Sequence, residues 1–308
     1  LSLMNHKKHS MGHQIYRSRY LLLLFLPCLL YYILFKYVPM WGVLISFKDF
    51  KPFIGFADSP WVGLKHFEAF FASPDAWRII KNTVLLGFYT LLWGFPIPII
   101  FALFLNEITH LRYKKIVQTV SYMPHFLSAV VVCGMIMSFL SPIRGIINQM
   151  IGWFGVEPIN FLSYSKYFRT IYVASDIWQQ IGWNAIIYIA AIMNVDEQLY
   201  EAARMDGASK WKQIRYITLP CIAPTIVTML ILKVGAILEV GLEKVLLLQN
   251  PAIYETADII ATYVYRQGIA GSNMSYATAV GLFSAVTNLI LLFTANFFAK
   301  RFSETSLF

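Results

Sequence analysis

Charged residues are scarce in this chain: Asp, Glu, Lys and Arg make up 13% of its 308 residues, roughly half the share of an ordinary soluble domain. That shortage excludes a solvated globular protein of the usual kind. Cysteine is scarce too. Cys28, Cys133 and Cys221 lie in or beside apolar stretches without metal-ligand spacing, so neither a disulfide framework nor a zinc site is expected, and the three read as small buried apolar side chains. No G-x-x-x-x-G-K-[ST] phosphate loop occurs; Gly207-Ala208-Ser209-Lys210 lacks the first glycine at the required distance, so the chain is not expected to be an enzyme that hydrolyses ATP. His6, His9 and His13 sit on a polar tail and His66, His110 and His125 are scattered, which assigns no metal and no cofactor to this chain. Linkers, charge blocks and low-complexity tracts are absent, so one membrane domain is expected over 20–301, between tails at 1–19 and 302–308.

What the chain has instead is apolar length. Hydrophobic residues reach 58% and the mean hydropathy is +0.59. Six stretches of about 20 residues are long enough to cross a bilayer core of about 30 Å: 20–38, 83–105, 120–140, 170–193, 222–240 and 277–299. Continuous rather than alternating apolar runs select helices over a barrel, giving an all-α, six-span polytopic fold. The first run follows a basic tail but has no small-residue cleavage site, so it reads as a signal-anchor helix. Leu-Ser-Leu before Met4 suggests a start further upstream. Lys and Arg crowd the span ends at Arg17, Arg19, Arg112, Lys114, Lys115, Lys300 and Arg301, which predicts cytoplasmic N and C termini in a cytoplasmic membrane. The net charge of +9 then suits anionic headgroups rather than nucleic acid. The connection 42–82, rich in aromatics, reads as an interfacial belt.

One polar segment stands apart, at 194–220 between the fourth and fifth spans. Asp196, Glu197 and Glu201 open a helix whose positive N-terminal end favours acids, and Arg204 lies near its end. Gly207 permits a left-handed turn, and Ser209 caps a second short helix through Tyr216 that leads to Pro220. The expected product is a helix-turn-helix elbow with a small-residue surface at Ala202 and Ala203.

Within this elbow, Glu201-Ala202-Ala203, three residues, Gly207, nine residues and Ile217-Thr218-Leu219-Pro220 resemble the cytoplasmic coupling motif of the membrane subunits of binding-protein-dependent ABC importers. Asp176-Ile177-Trp178, Gly182-Trp183-Asn184 and Gln249-Asn250-Pro251 look like the carbohydrate-uptake branch, in particular the LplB-type oligosaccharide permeases, whose relatives include alginate and aldouronate importers. The resemblance implies a type I importer permease fold with Glu201, Ala202, Ala203, Asp206, Gly207, Ile217, Leu219 and Pro220 coupling to an ATPase. It also implies a second homologous permease, an ATPase dimer that carries ATP and Mg, an extracytoplasmic sugar-binding protein and an oligosaccharide substrate, with uronates a reasonable class.

Polar groups inside a span are costly and therefore candidates for function. Gln180, Trp183, Asn184 and Tyr188 share a face of the fourth span, where aromatic and amide groups suit sugar rings and hydroxyls; inter-helix packing explains them equally well. Lys233 and Glu239 on the fifth span point about 240° apart on a helix, and Glu239 with Glu243 at i and i+4 would line a gate. Gln180, Trp183, Asn184, Tyr188 and Glu239 are the expected substrate pathway. A secondary transporter with an ion relay at Lys233, Glu239 or Asp176 is the alternative, although the chain shows no inverted repeat.

Overall fold

The structure, a computed structural model, describes residues 18–302; the tail histidines, Lys7, Lys8, Arg17 and the segment 303–308 lie outside them. Among the described residues everything regular is helical, and extended backbone pairs only at an isolated bridge between Lys48 and Trp61. The helices that matter here are α1 (Arg19–Phe47), α2 (Lys65–Ala72), α3 (Ala76–Glu107), α4 (Leu111–Phe126), α5 (Ala129–Phe139), α6 (Ile146–Gly152), α7 (Ser165–Met193), α8 (Glu197–Met205), α9 (Lys210–Gly235), α10 (Leu242–Leu248), α11 (Ile260–Tyr265) and α12 (Met274–Phe302).

Four of these, α1, α3, α9 and α12, are long and apolar enough to cross a membrane. The third expected span, 120–140, is not one straight helix: α4 and α5 meet at a bend of 101°. The break has a local cause. Pro124 lacks an N–H and sits in a 3-10 turn at Met123–Phe126, Leu127 and Ser128 are extended, and the Ser128 hydroxyl caps α5 by accepting from Val131 N at 3.3 Å. Helix α7 has 29 residues, about 44 Å at the usual rise, and so has the length to span, but its polar side chains leave it less apolar than the others. Length and apolarity therefore support four or five crossings, and the expected count of six rests on α7.

The bundle is organised around α7, which packs along α3 and against α4, α9 and the segment after α10. One core cluster lies near its middle and C-terminal half (Ala185, Tyr188, Ile192 with Ile99, Ala102 and Ile222), and a second lies near its start (Phe168, Tyr172 and Val173 with Leu86, Val240 and Val245). Close approach requires glycine along α7 and α3: a Cβ on Gly182 would lie 2.3 Å from Ser121 O, and one on Gly87 would lie 2.0 Å from Ile237 O. Among the loop aromatics, Phe70 is not at an interface but fully buried against Tyr263, Tyr276 and Val280. The cysteine expectation holds for buried Cys133, whereas Cys28 and Cys221 are exposed on the chain's own surface.

Candidate functional site

The elbow forms as its capping residues dictate. Asp196 accepts from Gln198 N at 2.9 Å to start α8. Gly207, at φ +73°, ends it, with Ala208 N donating to Ala203 O at 2.8 Å and Gly207 N to Arg204 O at 3.1 Å; this is the left-handed helix stop in which glycine carries no Cβ penalty. Ser209 accepts from Lys212 N at 3.4 Å and opens the next helix. That helix differs from expectation, for it does not stop before Pro220 but continues as α9. A π-turn at Ile214–Thr218, in which Leu219 N reaches Ile214 O, precedes Pro220 near the start of the following α-helical stretch, an arrangement that absorbs the missing proline N–H.

Glu201, Ala202, Asp206, Gly207 and Pro220 are exposed, and Ala203, Ile217 and Leu219 are half-buried. Met205, Trp211 and Tyr216 are exposed beside them, at 89%, 67% and 68%. Two internal links brace the elbow. Lys210 Nζ pairs with Glu107 at the end of α3 at 2.9 Å, and Tyr200 OH meets Thr218 Oγ1 at 2.9 Å.

A cavity of about 460 Å³ lies among α3, α7 and the end of α9, lined by Thr90, Gln180, Trp183, Asn184, Tyr188, Lys233 and Glu239, with Tyr172, Asp176 and Gly241 at its far end. Its size is that of a small-ligand pocket. The five residues expected on the substrate pathway all line it, but in unequal ways. Trp183 is 44% exposed, whereas Tyr188 is 3% exposed and packs edge-on to Phe95 with ring centroids 6.4 Å apart. Glu239 is not on a helix with Lys233, because α9 ends at Gly235. The segment that follows is held by Asn288 Oδ1 accepting from Leu238 N at 3.2 Å. Glu243 belongs to α10, so the i, i+4 relation with Glu239 is not realised.

Sequence reasoning missed His125 and Lys244. The His125 ring stacks on Trp183, centroids 4.2 Å apart and 4° from parallel, and its Nδ1 lies 2.8 Å from Gln180 Oε1. Lys244, buried, donates to Asp176 Oδ1 at 3.2 Å and lies 5.5 Å over the Tyr172 ring. Both pairings cross more than fifty residues of sequence, so no local spacing announces them; the only local sign was a polar residue in an apolar context. At the end of the bundle opposite the elbow, fully buried Asp258 accepts from Arg266 at 2.8 and 3.2 Å and from Arg78 at 3.4 Å. The Asp258 hydrogen bond raises the Arg266 pKa above its ordinary value, against the effect of burial.

Residues 76–304 match the family described as the binding-protein-dependent transport system inner membrane component. The chain belongs to this family. The chain is therefore the inner-membrane permease component of such a system. It is similar to the polygalacturonan/rhamnogalacturonan transport system permease protein YteP of Bacillus subtilis (48% identical over 96% of this chain and 92% of that protein) and to the LplB protein of the same organism (46%, 95% and 92%). It also resembles a chain in the crystal structure of a bacterial alginate ABC transporter in complex with an alginate pentasaccharide-bound periplasmic protein, with a TM-score of 0.88 at 42% identity over 97% of this chain and 100% of that one. The type I permease fold expected from the elbow is thus the fold the chain has.

Proposed function

We propose that this permease forms half of the translocation path of an ABC importer for an acidic oligosaccharide. The observation that carries this reading is where the elbow is inserted. Cavity-lining α7 runs into α8 after three residues, and the second cavity wall, α9, begins at Lys210 three residues after Gly207. A displacement of the elbow must therefore move both walls that hold Gln180, Trp183, Asn184 and Lys233. An ATPase dimer docked on Ala202, Met205 and Trp211, with Glu201 paired to one of its basic groups, would drive alternating access by this lever while ATP and Mg remain on that partner. A second permease supplies the other half of the cavity, and an extracytoplasmic binding protein delivers sugar at the end opposite the elbow, with both termini cytoplasmic. Similarity to polygalacturonan and alginate systems supports the acidic class.

The test is co-purification followed by uptake. The chain should isolate with an ATPase subunit, and in proteoliposomes a non-hydrolysable nucleotide should abolish uptake of oligogalacturonate. A cysteine at exposed Ser209 should be labelled only from the ATPase side, and one at exposed Ser163 only from the other. Nucleotide-independent, ion-driven uptake would sink the proposal.

A further inference from the structure

A second pocket, of about 430 Å³, opens at the end of the bundle opposite the elbow, between the first turns of α3 and α7. Three cations, Arg78, Lys81 and Arg169, and one carboxylate, the exposed Glu255, line it, with Trp77 at its rim and 75% exposed. Their charges are balanced unequally. Arg78 pairs with Asp75 at 2.8 Å and with Asp258 at 3.4 Å. Arg169, half-buried, makes no ion pair among the described residues; it donates to Asn82 Oδ1 at 3.0 Å, and its Nε, like that of Arg78, is buried without a hydrogen-bond partner. Lys81 is exposed and also makes no ion pair among the described residues. A guanidinium paired with an amide alone keeps its charge uncompensated and its remaining terminal N–H donors free for a carboxylate.

The pocket is in line with the cavity. On α7, Arg169 precedes Asp176 by seven residues and Gln180 by eleven, each within about 20° of the same helical face. Tyr172, one turn below Arg169, closes the cavity's far end, and on α3 Leu86 stands one turn below Asn82; both are buried. Two pockets walled by the same two helices and separated by one turn of buried side chains have the form of an antechamber and a chamber. An aromatic face beside paired cations is the combination that a uronate ring fits, its C–H face on Trp77 and its carboxylate on Arg169 and Lys81.

We propose that this pocket is a vestibule site for an acidic sugar residue, with Arg169 and Lys81 binding its carboxylate before the sugar passes Tyr172. This rests on the acidic-oligosaccharide reading above. The test uses the assembled importer in proteoliposomes, with trigalacturonate and the same trimer reduced to its neutral form as probes. Wild type should take up the acidic trimer with the lower KM. Arg169→Gln should raise that KM about tenfold, the effect of losing one charge-assisted contact, with kcat and the neutral trimer's KM unchanged, and Arg169→Lys should recover part of the loss. Lys81→Gln, at an exposed position, gives the same comparison if Arg169→Gln does not assemble. In a Lys81→Cys importer, trigalacturonate but not its neutral form should slow maleimide labelling. A wild type without preference for the acidic trimer would remove the acidic-substrate reading and this site together. A wild-type preference that Arg169→Gln and Lys81→Gln leave intact, or a rise in KM shared by both trimers, would overturn the vestibule alone, the shared rise marking a surface for the binding protein.

Discussion

Among the cavity residues, burial separates those that can meet a ligand from those that build its wall. Trp183 offers an open edge and is positioned by the His125 stack, a contact of the kind worth about 1 kcal/mol, and Asn184 is half-exposed beside it. Tyr188 instead fills a core with Phe95, Ile99 and Ala185. Trp183→Ala and Asn184→Ala should each lower sugar uptake several-fold while the complex keeps its thermal midpoint. Tyr188→Ala should lower the midpoint itself, by the equivalent of about 3 kcal/mol for a buried aromatic removed. Normal uptake in both Trp183→Ala and Asn184→Ala would make all three packing groups and displace the substrate path elsewhere.

At the scale of the element, the elbow depends on one backbone conformation. Gly207 lies at φ +73° with nothing within 4 Å of a hypothetical Cβ. A side chain there therefore meets no neighbour in this chain and incurs only the left-handed penalty of about 1 to 2 kcal/mol, largest for β-branched residues and small for Asn. Gly207→Val should reach the membrane in normal amount yet lose sugar-stimulated ATP hydrolysis and uptake together, and Gly207→Asn should retain most of both. Undiminished coupling in Gly207→Val would show that the angle of α8 against α9 does not transmit movement.

At the scale of the molecule, only the last turns of α1, at 41–47, pack on α12 and α2: none of the residues in its most apolar window is buried within the chain, whereas about a fifth of the corresponding window in α3 or α12 is. Helix association in a bilayer draws on packing rather than on removal from water, so an apolar stretch with no buried residue in its own chain is available to a neighbour. We expect the second permease to cover it. Cys28 lies on this helix and is exposed; in a Cys221→Ser background, a short bis-maleimide should join this chain to the second permease through Cys28. Crosslinks that capture only lipid-exposed copies of the same chain would place α1 at the periphery instead.

Much of this was legible in the sequence because its signals are local. Apolar length fixed where helices run, and Asp196, Gly207 and Ser209 determined the elbow, since a cap or a left-handed turn is decided by residues two or three apart. Tertiary structure alone decided that α9 stops at Gly235 where Leu292 leaves no room for a Cβ, and that Glu239 thereby leaves the helix. It also brought His125 to Trp183, Lys244 to Asp176 and Arg169 to Asn82. Those partners are distant along the chain, and their pairing energies exist only after α4, α7 and the segment beyond α9 have packed, so no periodicity in the sequence can encode them in readable form.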